Sequence, residues 1–149
     1  MYFFAYEKFL NPHDFLKYNV DLKNVCAISY VYINNYSIEF FDINKETTCP
    51  LSTLIDSQEK TYGILYEINI RDFNKIVKGC SFNYISQTVS AIDNVNLHIN
   101  WKATTLILNP TMMCIESKPT RVSLNRLIKT IKSIPFYSNT HLNYIKDLL

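Results

Sequence analysis

The chain has 149 residues, of which 48% are apolar, so it suits one globular domain with an adequate core. Its net charge of +2 does not predict a nucleic-acid partner, because proteins of that class usually concentrate far more positive charge on one face. Four cysteines without a CxxC pair, and glycine only at Gly63 and Gly79, exclude the commonest zinc patterns and a glycine-rich phosphate loop, so we expect no metal and no cofactor.

The first strand is predicted over Tyr2–Tyr6, an apolar and aromatic run that is typical of a strand buried on both faces. A helix is predicted near Asn11–Tyr18, because an Asn cap, a proline and an acid begin it. Glu7–Leu10 then forms a strand-to-helix loop, whose free backbone N–H groups favour an anionic ligand. We expect any small-molecule site to lie there.

A hairpin is predicted next, with Val25–Ile33 and Tyr36–Phe41 as its arms. Asn34-Asn35 between them tolerates the positive φ that a two-residue turn needs. The aromatic stretch Tyr30–Phe41 carries more apolar surface than a small barrel needs. Either the carboxy-terminal helices cover one side of it, or that side contacts a protein partner or a second copy of the chain.

The middle of the chain alternates short strands and turns. Asp42–Leu51 is a predicted loop, Ser52–Ile55 a short strand and Asp56–Lys60 a polar turn. Thr61–Ile68 is predicted as a strand, and Asn69–Lys78 as a helix with Asn69 as its cap.

A second hairpin is predicted from Tyr84–Ile92 and Val95–Ile99, with its turn at Asp93-Asn94. Lys102–Leu108 is the last predicted strand, and Thr111–Thr120, which has no clear period, is a predicted loop.

Two helices are predicted at the end of the chain. Ser123 caps the first, whose apolar residues recur at helical spacing: Leu124, Leu127, Ile128 and Ile131. Pro135 ends it, and the second begins at Asn139 or Thr140. The basic residues of this region, Arg126 among them, point in different directions and are interpreted as a solvated face.

No signal-peptide pattern and no apolar run near roughly 20 residues is visible, so we expect no membrane span and a cytoplasmic location. Abundant Asn, Ile, Lys and Tyr with scarce Arg indicate an AT-rich genome, such as that of a virus or a parasite. In the viral case the location is the host cytoplasm.

The order of these segments resembles the gamma-glutamylcyclotransferase family, including its gamma-glutamylamine relatives. Members open with a strand reading F-A-Y-G-S-N-L followed by N-P, to which Phe4–Pro12 is similar. A strand like V-W-G-V-L-Y-E-I resembles Thr61–Ile68, and a helix ending in L-D-x-x-E-G resembles Ile76–Ser81. The family's P-S-x-x-Y-L and L-P-x-x-Y segments resemble Lys118–Ile131 and Ile134–Leu148. The resemblance implies a single α+β domain over residues 1–149, a small mixed β-barrel-like sheet with surrounding helices.

The resemblance also implies a chemistry, and this chain departs from it. In active members the α-amine of the substrate attacks its own γ-carbonyl and releases 5-oxoproline, with the Glu of L-D-x-x-E-G as acid/base. Here Cys80 stands at that Glu, and Glu7-Lys8-Phe9 replace the Gly-Ser-Asn that holds the γ-glutamyl head group. The implied active site is therefore degenerate, with no catalytic residue and a vestigial position at Cys80. The residues of the implied vestigial pocket are Tyr6, Glu7, Lys8, Phe9, Tyr62, Gly79, Cys80, Ser81 and Tyr84.

Three functional hypotheses follow. The first is a catalytically inactive protein of this fold that acts as a protein-binding or assembly module. The alternative is an active gamma-glutamylcyclotransferase that releases 5-oxoproline from γ-glutamyl peptides or amines with a relocated acid/base, Glu7 or else Glu67. In the third, Cys80 is a nucleophile or redox-responsive thiol, which the negative end of a helix and the lack of a nearby His in sequence disfavour.

Overall fold

The computed structural model describes residues 1–42, 51–80, 83–113, 115–133 and 139–147. Its strands are β1 Tyr2–Ala5, β2 Val25–Asp42, β3 Leu51–Ile68, β4 Tyr84–Asp93, β5 Asn100–Leu108 and β6 Ile115–Glu116. Its α-helices are α1 Ile70–Gly79, α2 Arg121–Ser133 and α3 Asn139–Asp147. Short 3-10 helices cover Pro12–Tyr18, Leu22–Asn24 and Pro110–Met112.

Five strands form a barrel. They are hydrogen-bonded in the order β3-β1-β5-β4-β2, and pairing between β2 and β3 closes the ring, while β6 adds to the end of β2. Strand β1 is antiparallel to β3 but parallel to β5, so the sheet is mixed. The predicted α+β class and mixed barrel-like sheet are confirmed.

Strand β1 lies in the middle of the core. Phe3 and Ala5 contribute to one hydrophobic cluster, which includes Phe15, and Phe4 and Tyr6 contribute to the other. All four side chains of Phe3–Tyr6 are buried. Burial on both faces explains why this run is apolar without alternation, as predicted.

The predicted hairpin at Asn34-Asn35 is wrong. Strand β2 runs continuously through these residues and pairs with β3 from Val25 opposite Ile68 to Phe41 opposite Leu51. Asn35 does have a positive φ, 67°, but it forms an irregularity in the β2–β3 register. A bulge needs the same backbone freedom as a tight turn, so the residue type could not distinguish them.

The predicted break in β3 is also wrong. Leu51–Ile68 is one strand, in which Asp56 pairs opposite Tyr36 and Lys60 opposite Asn34. Three residues of β3 therefore face the single Asn35 of β2, which bends the pair without ending it.

The second predicted hairpin has a different second arm. Strand β4 pairs along its length with β5, whereas Val95–Ile99 is a loop. The Asp93 carboxylate accepts hydrogen bonds from the N–H groups of Val95 and Asn96, at 2.8 and 2.7 Å, and turns the chain away from the strand direction. The predicted strand Lys102–Leu108 is confirmed and begins two residues earlier, at Asn100.

The capping residues of two helices are confirmed. The Asn11 side chain accepts from the N–H of His13, although the segment that follows is a 3-10 helix, and the Asn69 side chain accepts from the N–H of Asp72 at the start of α1. Thr111–Thr120 was predicted as a loop, but this segment contains part of a 3-10 helix and strand β6.

The predicted cap of α2 is wrong by three residues. Helix α2 begins at Arg121, and the Thr120 hydroxyl accepts from the N–H of Ser123, which therefore lies inside the helix. The predicted apolar face is confirmed, with Leu124, Leu127 and Ile131 buried. Helix α3 begins at Asn139, and Pro135 lies outside the described residues. Across the described ranges, none of the helices combines the length and the apolar character that crossing a membrane requires.

Candidate active-site cavity

Aromatic side chains anchor the loop that follows β1, Glu7–Leu10. Phe9 is buried, with its ring centroid 5.0 Å from that of Phe15, 5.5 Å from Phe3 and 5.4 Å from Tyr18. The Tyr6 hydroxyl donates to the carbonyl of Leu106, at 2.8 Å. These contacts fix the residues on both sides of Glu7 and Lys8.

Two cavities adjoin this loop. The larger has a volume of about 230 Å³ and is lined by Glu7, Lys8, Asp14, Lys17, Phe40, Leu51, Ser52, Tyr84, Pro119, Ser123, Arg126, Leu127 and Thr130. The smaller has a volume of about 20 Å³, room for about one water molecule, and is lined by Phe3, Phe4, Ala5, Tyr6, Glu7, Lys8, Phe9, Ser52, Cys80, Tyr84, Thr105 and Leu106. Glu7, Lys8, Ser52 and Tyr84 line both cavities.

The structure brings six of the nine sequence-predicted pocket residues together around the smaller cavity: Tyr6, Glu7, Lys8, Phe9, Cys80 and Tyr84. Tyr62 lines neither cavity, and its ring stacks on Tyr30 at 6.0 Å. Gly79 also lines neither, because it lies against the ring of Tyr18, and Ser81 lies outside the described residues. The assignment of Tyr62 and Gly79 to a pocket therefore stays a prediction.

The Glu7 carboxylate is half-buried and accepts a hydrogen bond of 2.8 Å from the Ser52 hydroxyl. Burial raises the pKa of Glu7 above its ordinary value, against the opposing effects of the Ser52 hydrogen bond and the Lys8 charge. A carboxyl group with a raised pKa in a cavity is suited to exchange protons with a ligand. Glu67, the other proposed acid/base, is exposed on β3 and lines neither cavity.

The Lys8 ammonium lies among three aromatic rings. Its Nζ is 5.5 Å from the ring centroids of Tyr18 and Tyr84 and 6.0 Å from that of Phe9. Burial lowers the pKa of Lys8, but interaction with Tyr18, Cys80 and Glu7 outweighs this and raises it overall. Lys8 therefore carries a positive charge at neutral pH beside Glu7.

Further charges line the larger cavity. The Asp14 carboxylate contacts Lys17 at 2.5 Å and Arg126 at 3.5 Å. Sequence reasoning missed this cluster, because it interpreted Arg126 as part of a solvated face and Asp14 as a first-turn acid. No local pattern connects Asp14 with Arg126, since only the packing of α2 brings them together.

Cys80 follows α1 and is buried, and its thiol donates a weak hydrogen bond to the Tyr18 hydroxyl at 3.7 Å. It lines the smaller cavity but not the larger one. Among the residues that the structure describes, no histidine lines either cavity. The thiol thus lacks the imidazole partner with which a nucleophilic cysteine is usually activated.

The aromatic stretch Tyr30–Phe41 does not form the exposed apolar surface that a docking site requires. Tyr30, Tyr32, Ile38 and Phe40 are all buried. Both faces of β2 are used, because Tyr30 joins one core cluster and Phe40 the other. The reason for expecting a partner here is therefore removed.

Within the described parts of the chain, no group of three His, Cys, Asp or Glu residues could hold a metal ion.

A scan of the sequence against protein-family models gives no match, and a search of curated proteins gives none either. Solved structures do match. A gamma-glutamyl cyclotransferase superposes with a TM-score of 0.76 at 13% identity, over 99% of this chain and 85% of that chain. YkqA from Bacillus subtilis superposes with a TM-score of 0.79 at 18% identity, over 99% of this chain and 53% of the YkqA chain. A gamma-glutamyl cyclotransferase specific to glutathione, from yeast, superposes with a TM-score of 0.58 at 8% identity, over 99% of this chain and 96% of that chain. At these identities the likeness concerns the backbone, and it shows that this chain has the gamma-glutamyl cyclotransferase-like fold.

Proposed function

We propose that this protein is a cyclotransferase that releases 5-oxoproline from a γ-glutamyl compound, with Glu7 as its acid/base. One observation carries the proposal: the Glu7 carboxylate lines an open cavity of about 230 Å³ and has a pKa that burial raises. The fold shared with gamma-glutamyl cyclotransferases supports it, although that likeness concerns the fold alone. The proposal assigns the acid/base to Glu7 and not to the position that corresponds to the family's catalytic Glu, because Cys80, which occupies that position, lies outside this cavity.

The proposed reaction needs one group that moves protons. Glu7 accepts a proton from the substrate's α-ammonium, and the resulting amine attacks the γ-carbonyl carbon. The bond from that carbon to the leaving nitrogen then breaks. Glu7 gives this proton to the leaving nitrogen. It then takes the second proton from the nitrogen that has formed the new amide bond and passes it to the released amine, which therefore carries both protons lost by the α-ammonium. A positioned acid/base of this kind contributes about 10²–10⁴-fold to the rate.

The cavity has properties that fit such a ligand. Its volume, about 230 Å³, is below the roughly 300–1,000 Å³ typical of drug-sized ligands, so it suits an amino-acid-sized head group. Cations and carboxylates both line it, which matches a substrate that carries an α-carboxylate and an α-ammonium group. The substrate also has methylene groups between its α-carbon and its γ-carbonyl. The apolar surface for these methylene groups comes from Phe40, Leu51 and Leu127.

A second candidate is a non-catalytic binding protein of this fold. The observation that favours it is Cys80, a buried thiol at the position that the family resemblance assigns to the catalytic Glu, beside a cavity of only about 20 Å³. Such a protein would bind a small ligand in the larger cavity and release no product. The hypothesis of an assembly module stays a prediction without a contact surface at Tyr30–Phe41, because that aromatic stretch is largely internal.

The test is release of 5-oxoproline from glutathione and γ-glutamyl-alanine, measured by chromatography. We expect turnover by the unaltered protein and a loss of about 10²-fold or more in Glu7→Gln. Glu67→Gln is the matched control, since Glu67 is an exposed carboxylate outside the cavity, and it should keep full activity. Turnover that persists in Glu7→Gln would refute the role of Glu7. No turnover by the unaltered protein would favour the non-catalytic candidate.

A further inference from the structure

The three cations that line the larger cavity differ in their partners. Lys17 and Arg126 both contact the Asp14 carboxylate, which partly neutralises them. Lys8, in contrast, has no carboxylate of the described residues within 4.0 Å of its ammonium. Lys8 is therefore the cation of this cavity whose charge is available to an anionic ligand.

Three aromatic rings lie around the ammonium of Lys8, which is an exposed residue. The rings of Tyr18, Tyr84 and Phe9 lie within about 6 Å of its Nζ, the range in which an ammonium is attracted to ring faces. A hydrogen bond with the Tyr18 side chain uses one N–H donor of the Lys8 ammonium, and ring faces do not satisfy the others as carboxylate oxygens do. An ammonium with free N–H donors at the edge of a cavity can receive an incoming carboxylate.

Lys8 and Glu7 are consecutive, yet both line the same cavity. The α-carboxylate and α-amine of a γ-glutamyl compound are likewise bonded to one carbon atom. A carboxylate held by Lys8 thus leaves the neighbouring amine close to Glu7, which is the group that must take its proton. Reversal of the ligand would place two negative carboxylates together at Glu7, which is unfavourable.

We propose that Lys8 is the anchor for the α-carboxylate of the γ-glutamyl ligand and so selects ligands with a free α-carboxylate. The inference rests on the proposed function for the identity of the ligand. The carboxylate contact itself does not depend on turnover, so binding and catalysis can be tested separately.

Binding is measured by calorimetry with two probes that lack an amine and cannot cyclise. Glutaramate carries a carboxylate at one end and an amide at the other, and glutaramide carries amides at both ends. The unaltered protein should bind glutaramate roughly 10- to 100-fold more tightly, the range expected for one charge-assisted hydrogen-bonded pair. Lys8→Met should abolish this preference and Lys8→Arg should largely retain it.

Lys102→Met is the matched control, because Lys102 is an exposed lysine on β5 that lines neither cavity. It should preserve the preference for glutaramate within about threefold, and thermal melting should show that all three variants are folded. For γ-glutamyl-alanine, Lys8→Met should raise KM by a similar factor of roughly 10 to 100 and change kcat much less.

The outcomes separate the two proposals. A preference that survives in Lys8→Met, or is absent from the unaltered protein, overturns the assignment of Lys8. A Lys8-dependent preference together with no release of 5-oxoproline supports the anchor and refutes only the proposed catalysis. Release of 5-oxoproline with the same KM in Lys8→Met supports the catalysis and refutes the anchor.

Discussion

Replacement of Phe9 by alanine should destabilise the protein strongly, because Phe9 fixes the loop that carries Glu7 and Lys8. Its side chain is 3% exposed, and burial of a phenylalanine is worth about 1.5–3 kcal/mol. Its three ring contacts, at 5.0, 5.4 and 5.5 Å, contribute about 0.5–1.5 kcal/mol each. Because these contributions overlap, we expect a loss of about 3–5 kcal/mol in the free energy of unfolding, the usual range for a buried Phe→Ala change.

The assay is urea denaturation at equilibrium, followed by tryptophan fluorescence. Phe9→Leu is the matched control, since it keeps most of the apolar volume and should cost less than about 1.5 kcal/mol. The midpoint should fall while the slope of the transition stays constant, because the surface exposed on unfolding is similar. A loss below about 1.5 kcal/mol in Phe9→Ala, or equal losses in the two variants, would refute the view that the aromatic cluster anchors this loop.

Three further predictions follow from the same structure. Gly63→Ala should cost at least about 3 kcal/mol of unfolding free energy, because its Cβ would lie 2.1 Å from the backbone oxygen of Ala5, whereas Gly79→Ala, which meets only a Tyr side chain, should cost much less; equal urea midpoints would contradict this. Glu7→Gln should raise the melting temperature at pH 7 but not near pH 3. The pKa of Glu7 is higher in the folded state than in the unfolded state, so the stability that Glu7 contributes is present below its unfolded pKa and is lost as pH rises through its folded pKa. Gln carries no charge at either pH and so avoids this loss at pH 7. An unchanged melting temperature at pH 7 would argue against a desolvated carboxylate. Iodoacetamide should alkylate the exposed Cys26 well before the buried Cys80, as peptide mapping can measure, and faster reaction at Cys80 would show an activated thiol.

Local chemistry made several elements predictable. The run Tyr2–Tyr6 is apolar at every position, and only a strand covered on both faces needs such a sequence. Asn11 and Asn69 precede helices whose first N–H groups their side chains bind, a contact between residues two or three positions apart. The caps were predictable because both partners in each contact are close in the chain, and the strand because its own composition reveals the burial of both faces.

The long strands β2 and β3 were not predictable in the same way. Asn35 has the positive φ expected of a turn, and the polar residues Asp56–Lys60 have the composition of one. Each segment continues as a strand because the other supplies its hydrogen-bond partners across the pair. The residue types are compatible with a turn or a bulge, so the choice depends on a partner strand that local pattern does not reveal.

By itself the sequence determined the central strand and the helix caps, and its resemblance to the gamma-glutamylcyclotransferase family implied the barrel-like fold. Only the tertiary structure decided that an open cavity lies between the loop at Glu7 and helix α2, where Arg126 meets Asp14 and leaves the ammonium of Lys8 without a carboxylate partner among the described residues. The physical reason is where the information lies: a cap is a contact between neighbours in the chain, and a strand buried on both faces is apolar at every position, so each is visible in a short stretch of sequence. A cavity and its charges arise where distant segments meet and leave space between them.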